Sequence, residues 1–272
     1  MPFAWNSNDL NEEQKNAVFC EGSVFLTACP GSGKTRCLSH KIVHALEHSM
    51  ASEKRRVVAI TYTQKAAEEI HDRISQLVTD TSKLWIGTIH AFCLEWILRP
   101  YAIYHEQLKN GFRVINSHDT EEIISEICKS KAGGKVGYYD CGYFYTSSGR
   151  HLTSNKSRLH NVISEVLDEY HEQISSRKQI DFELILKFAH DLIQELPSIS
   201  KLLSSIFSIV LVDEFQDTKE IQYLILATIL RAGQGETDCF MVGDANQAIY
   251  SSMGGVAMSA AEFGALAGIK FT

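Results

Sequence analysis

The sequence predicts an α/β fold, a parallel sheet flanked by helices and interrupted by a mostly helical insertion. Three observations predict it. Short apolar runs at 24–27, 57–60 and 85–88 are each followed by a stretch with helical spacing, and such alternation builds a helix-covered parallel sheet. Two more apolar runs, 207–212 and 239–242, follow a long stretch of different texture. A glycine-rich turn joins the first run to its helix, and in open parallel sheets ligands gather at the carboxyl ends of the strands.

The bounds are those of a water-compatible globular chain. Its 272 residues suggest one large domain or two modest ones. No apolar run is long enough to span a bilayer, and the first residues lack a basic segment followed by an apolar one. The expectation is a cytoplasmic protein with no membrane partner. Seven cysteines without a Cys-x-x-Cys pair argue against a disulfide framework or a zinc ribbon. The net charge of −7 speaks against wholesale coating of nucleic acid, but leaves room for a local strand-binding groove. Basic clusters such as 54–56 and 177–178 read first as solvated faces.

Taken in order, residues 9–19 read as a short capped helix, with Asn11 as N-cap and Gln14 in the capping-box position. Residues 28–35, Ala-Cys-Pro-Gly-Ser-Gly-Lys-Thr, then link a strand to a helix carrying Leu38, Ile42, Val43 and Leu46 on one stripe. This is the order of a P-loop. Gly31 and Gly33 let the backbone turn several N–H groups toward one anion, and the helix start adds its positive dipole end. Lys34 is expected at the β/γ-phosphates of a nucleotide, and the Thr35 hydroxyl on Mg²⁺.

The second strand closes with Thr61, Tyr62 and Thr63, and a helix follows over Gln64–Leu77. After the third strand a helix is expected over 89–98, stopped by Pro100. Residues 101–175 change texture, with helical segments at 119–131 and 159–175 around a Tyr/Gly/Ser-rich stretch, 137–149, read as an exposed loop. Tyr138, Tyr139, Tyr143 and Tyr145 there could stack on bases or simply pack the loop. Another amphipathic helix is expected over 181–196. The strand at 207–212 ends in Asp213-Glu214, the Walker B arrangement, in which Asp213 holds Mg²⁺ and Glu214 polarises water. A helix over 218–231, a strand at 239–242 ending in Gly243-Asp244, a weak helix over 258–266 and a strand beginning at Ile269 complete the pattern.

These motifs, in this order, resemble the UvrD/Rep family of superfamily 1 DNA helicases. Asn11-Glu-Glu-Gln14 is similar to the Q motif, residues 28–36 to motif I, 59–67 to motif Ia, and 87–92 to motif Ib. Asp181-Phe182 resembles the segment that resumes the first RecA-like domain, 212–217 matches motif II, and 242–250 matches most of motif III. The resemblance implies a RecA-like ATP-binding domain at 1–99 and 179–272, with 100–178 as the inserted 1B-like subdomain. It implies ATP and Mg²⁺ as cofactors, held by Gln14, Ala28, Pro30, Gly31, Ser32, Gly33, Lys34, Thr35 and Arg36, with Asp213 on the metal. Gln14 would contact adenine, Arg36 would lie against the base, and Gln247 would sense the γ-phosphate. Tyr62, Thr63, Thr88, His90 and Tyr250 would line single-stranded DNA, although a lone histidine near a strand end also reads as a structural residue.

The implied partners are single-stranded DNA, or a duplex with a single-stranded tail, and a second RecA-like domain beyond these residues; a nuclease or repair protein is a further candidate. One departure stands out. Where the family's motif III continues Tyr-Gly-Trp-Arg-Gly-Ala, this chain reads Tyr250-Ser-Ser252-Met253-Gly-Gly255. Two expectations follow: the motor half of an ATP-dependent DNA helicase or translocase, or a nucleotide-binding regulatory or assembly subunit of a nuclease or phage-defence complex that does not unwind DNA.

Overall fold

The computed structural model describes residues 9–49, 55–131, 133–247 and 254–272. The chain opens with helix α1 (Glu12–Phe19), strand β1 (Val24–Thr27), α2 (Lys34–Ser49), β2 (Arg56–Thr61), α3 (Gln64–Leu77) and β3 (Leu84–Thr88). It continues through α4 (Ile89–Phe92), a π-helical turn (Cys93–Leu98), α5 (Arg99–Tyr101), β4 (Arg113–Val114), α6 (Ser117–Lys131), β5 (Tyr143–Thr146) and β6 (Gly149–Leu152). Then come α7 (His160–Ser176), β7 (Gln179–Ile180), α8 (Phe182–Glu195), α9 (Pro197–Ile206), β8 (Phe207–Asp213), α10 (Glu220–Ala232), β9 (Asp238–Gly243) and α11 (Ala260–Ala267).

Five strands form one sheet in the order β1-β9-β8-β2-β3, every pair parallel. All five runs expected from the sequence are in it. Successive residues of a strand face opposite sides, and the burial follows. Val57, Ala59, Ile209 and Leu211 pack with α2 and α3 residues such as Leu38, Ile42, Ile70 and Ile74. Val58, Ile60, Val210 and Val212 pack on the other side with Ile185, Leu192, Ile225 and Phe263. Both faces are covered, which is why these strands read as unbroken apolar runs.

The second core continues into the residues between β3 and β8, where Ile124, Ile163, Val166 and Ile174 join the same cluster. The chain leaves and re-enters the α/β layer side by side, because β4 and β7 pair in parallel at Arg113↔Gln179 and Val114↔Ile180.

Three local expectations are corrected. Pro100 does not end the helix, which runs on to Tyr101. Proline is excluded from a helix interior by its ring meeting the carbonyl four residues back. Here the preceding turn is π-helical, with Arg99 N–H donating to Leu94 C=O, and the widened turn relieves that contact. The stretch at 137–149 is not a plain loop, because β5 and β6 pair as an antiparallel hairpin. Its Tyr143 hydroxyl donates to Asp181 and Tyr145 is 9% exposed, so of the four tyrosines only Tyr139 stands open, at 88%. Helix α9 begins at Pro197, a favoured first-turn position, and was not expected. Near the end, Phe271 bridges in parallel to Ser23, Thr272 N–H donates to Ser23 C=O at 3.0 Å and Phe25 N–H to Thr272 C=O at 3.3 Å, so the start of a strand expected from Ile269 lies beside β1.

Candidate active site

Strand β1 delivers the chain into the turn at 28–33, which Ala28 N–H anchors to Gly243 C=O on the neighbouring strand β9 at 2.9 Å. Gly31 and Gly33 both adopt positive φ, 74° and 86°, a region that side chains resist. Helix α2 starts at Lys34, so its free N–H groups and positive dipole end open onto the turn.

Helix α1 braces this loop. Its capping box is complete: Asn11 Oδ1 accepts from Gln14 N–H at 2.8 Å, and Gln14 Oε1 accepts from Asn11 N–H at 3.0 Å. The Gln14 amide has a second task, donating through Nε2 to Ser32 C=O at 2.8 Å. A Cβ at Gly33 would lie 2.8 Å from that same Nε2, so a side chain there would displace the Gln14 amide from its bond to Ser32. Arg36 reaches back to Asp9 C=O at 3.2 Å. The capping role read for Gln14 is therefore realised, and its amide faces the loop backbone.

The acidic pair follows the last residues of β8. Asp213 is 8% exposed, and burial, reinforced by the Glu214 charge, pushes its carboxyl up to about 6. Glu214 takes a left-handed conformation, φ 51°, which costs an ordinary residue about 1–2 kcal/mol. That strain turns its side chain into contact with the P-loop: Lys34 Nζ lies 3.2 Å from Glu214 Oε2. Gln216 Nε2 donates to the same oxygen at 2.8 Å, while Gln216 Oε1 accepts from Asp244 N–H at 2.9 Å. Gln247 Nε2 in turn donates to Asp244 Oδ2 at 2.7 Å. One hydrogen-bonded chain thus joins Lys34, Glu214, Gln216, Asp244 and Gln247. Gly243 permits it, since a Cβ there would meet Gln216 Oε1 at 2.3 Å.

A cleft of about 910 Å³ opens over this chain. Pro30, Gly31, Gly33, Lys34, Thr35, Arg36, Glu214 and Gln247 line it, all expected from the sequence or the resemblance. Asp9, His40, Arg73 and Leu77 line it as well and were missed. Arg73 and Leu77 sit on α3, where nothing in the spacing separates a cleft-facing residue from a solvated one. Gln14, Ala28 and Ser32 shape the loop from behind the lining.

The donor set suits a triphosphate with a divalent ion. Lys34 is held against Glu214, and Asp217 Oδ1 is buried without a hydrogen-bond partner among the described residues. Among the described residues no group of three or more His, Cys, Asp or Glu could hold a metal unaided. Magnesium characteristically takes one or two carboxylates and completes its shell with phosphate oxygens and water; of the two residues expected to hold it, Thr35 lines the cleft, whereas Asp213, buried at the end of β8, is not part of the lining.

Of the residues assigned to a DNA strand, Tyr62, Thr63 and His90 lie just past the carboxyl ends of β2 and β3, and Thr88 is the last residue of β3. Tyr62 is 46% exposed. Thr63 and Thr88 serve as N-caps, accepting from Ala66 N–H at 3.1 Å and Ala91 N–H at 3.3 Å. His90 is different: its Nε2 is shielded from solvent and unpartnered, its ring meets Phe182 edge-on at 5.5 Å, and burial lowers its pKa to about 4. In this geometry His90 Nε2 is not open to a strand, although the residue as a whole is half-buried. Phe182 is 48% exposed beside it and was not singled out as a contact. Tyr250, Ser252 and Met253 lie outside the described residues.

Comparison with known proteins agrees with this arrangement. The family model described as UvrD/REP helicase N-terminal domain matches residues 10–263. The chain is similar to the ATP-dependent DNA helicase PcrA of Staphylococcus aureus, 29% identical over 261 residues, covering 91% of this chain and 34% of the relative. It is also similar to the ATP-dependent DNA helicase UvrD1 of Mycobacterium tuberculosis, 27% identical over 273 residues, covering 93% and 35% respectively. The chain thus spans about a third of the length of the curated relatives it matches. The motif order, the parallel sheet and a match that takes in both the P-loop and the acidic pair lead to one conclusion: the chain belongs to the UvrD/REP helicase N-terminal domain family.

Proposed function

We propose that this chain is the ATP-binding motor portion of an ATP-dependent DNA helicase or translocase. The observation that carries the reading is the contact of Lys34 with Glu214, which sets the phosphate-binding lysine and the water-polarising carboxylate on either side of one cleft. The backbone of 31–35 and Lys34 would hold the β- and γ-phosphates, and Arg36 the base edge of the cleft. Asp213 and Thr35 would hold Mg²⁺, which when bound would neutralise charge on the phosphate oxygens. Glu214, released from Lys34 by the phosphates, would orient the attacking water. Gln247, at the end of the chain through Gln216 and Asp244, would report the state of the γ-phosphate toward residues 248–253.

The strand-facing part of the proposal rests on Tyr62, Thr63 and Thr88 at the carboxyl edge of the sheet, with His90 as a support beneath Phe182. Residues 100–178, entered and left through the β4–β7 pair, would form the 1B-like subdomain. A second RecA-like domain would complete both the nucleotide site and the DNA groove in a protein of the relatives' length.

The competing reading, a nucleotide-binding assembly or regulatory subunit of a nuclease or phage-defence complex, is favoured by Ser252 and Met253 standing where the family carries Trp and Arg. ATP hydrolysis by a protein of the relatives' length, with and without single-stranded DNA, separates the two. Stimulation by the strand supports the motor; ATP binding with no strand-dependent turnover supports the subunit.

A further inference from the structure

A second cleft, of about 610 Å³, lies between residues 104–107, α7 and α8. Its wall carries four carboxylates, Glu106, Glu172, Asp191 and Glu195, against one cation, Lys187. Lys187 is already committed: it pairs with Asp191, and its Nζ lies 6.0 Å from the centre of the Tyr145 ring. Glu106, Glu172 and Glu195 make no hydrogen bond or ion pair with any described residue. Lys187 is paired with Asp191, and Lys131, which also feels Glu172, is paired with Glu169, so the wall keeps an excess of like charge that favours a cation among the carboxylates.

Buried acceptors point the same way. His105, which also lines the cleft, is 8% exposed, and its Nδ1 is shielded from water with no partner. Burial holds its pKa below the usual histidine value, although the charges of Asp191, Glu195 and Glu106 pull the other way, and the neutral ring carries a lone pair on one of its two nitrogens. The Oε1 of Gln179, on the same lining, is also buried and unpartnered. Unmet buried polar atoms are rare in folded proteins and call for a partner. Both atoms belong to residues of the same wall that carries the carboxylates.

A metal ion does not fit, since no three such ligands among the described residues converge on one point. The lining is also partly apolar, with Phe188 tilted against His105 at 4.4 Å between ring centres, and Tyr104, Tyr145 and Leu184 alongside. Separated negative charges joined by aromatic and aliphatic surface match a cation whose charges are spaced along a methylene chain.

We propose that this cleft binds an extended alkylammonium ligand, its ammonium groups set against Glu106, Glu172 and Glu195 and its methylenes along Phe188 and Tyr145. The chemistry is that of a free polyamine or of a lysine side chain offered by a partner protein. Titration calorimetry of spermidine into the 272-residue chain, with pentalysine and Mg²⁺ in parallel at matched ionic strength, tests it. The expected result is one saturable site for spermidine or pentalysine that weakens about tenfold in the double variant Glu172→Gln, Glu195→Gln. Both positions are exposed, and an unchanged thermal midpoint without ligand checks that the variant is folded. Tighter binding of spermidine assigns the site to a free polyamine, and tighter binding of pentalysine to a partner's lysine. Equal affinity in the double variant, equal competition by Mg²⁺, or no binding of either probe overturns the proposal.

Discussion

Lys34 Nζ and Glu214 Oε2 stand 3.2 Å apart, joining the first residue of α2 to the residue that follows β8. The lysine side chain is 10% exposed, so its charge is held by the carboxylate that the proposed mechanism assigns to the attacking water. A triphosphate would compete for the lysine and release the carboxylate.

Glu214→Gln is therefore expected to leave ATP affinity within a few-fold of wild type while slowing hydrolysis by about 10²–10⁴, the span of general-base contributions. The amide keeps the shape and loses the base. Equilibrium binding and steady-state turnover in a protein of the relatives' length check this; turnover near wild type removes Glu214 from the role.

Gln216 is 3% exposed and satisfies the buried Asp244 N–H as well as Glu214. Gln216→Leu strands that N–H and is expected to lower unfolding stability by about 1–3 kcal/mol. Urea denaturation measures it, and a change within experimental error would mean that the link between the two strand ends contributes nothing.

Gly33→Ala and Gly22→Ala form a matched pair. Both glycines have positive φ, 86° and 80°, but only at Gly33 does an added Cβ meet an atom, Gln14 Nε2 at 2.8 Å. Each variant is expected to lose about 1–2 kcal/mol from backbone strain. Gly33→Ala is expected to lose more, and the excess is expected to vanish when both substitutions are compared in a Gln14→Ala background. Equal losses, or an excess that persists in that background, would show that α1 does not brace the loop.

The five sheet strands were legible because burial on both faces writes each as a continuous apolar run. The cleft shared by Lys34 and Glu214 was legible because a glycine-rich turn before a helix and an acidic pair after a strand confine residue type and spacing at once. The hairpin at 143–152 was not. Its turn and tyrosines have the composition of a loop, and its order comes from tertiary bonds, such as Tyr143 to Asp181, that no local pattern encodes. The π-helical turn before Pro100 was hidden for a similar reason, since proline reads locally as a stop. Arg73 enters the cleft through the packing of α3 on α2, a relation absent from the spacing of either helix.

His90 supplies a pH test. Its pKa falls from an ordinary 6.5 to about 4 because burial opposes the charged ring. Between those values the unfolded chain takes up a proton that the folded chain refuses, so stability is full above the ordinary value and declines as pH falls toward 4. The loss amounts to at most about 3 kcal/mol. His90→Gln is expected to flatten that part of the stability–pH curve, measured by urea denaturation from pH 7 to 4. An unchanged slope would place His90 in contact with water.

The central claim is that the cleft over Lys34 is a nucleoside triphosphate site. Its most direct test is an equilibrium titration of Mg²⁺-ATP into the wild-type chain and into Lys34→Ala, with circular dichroism to verify folding. Removing the lysine takes away a charge-assisted hydrogen bond, worth about 1.5–3 kcal/mol, and leaves Glu214 unopposed beside the phosphates. The account predicts affinity lowered by about ten- to hundredfold or more. Equal affinity in the two proteins would contradict it.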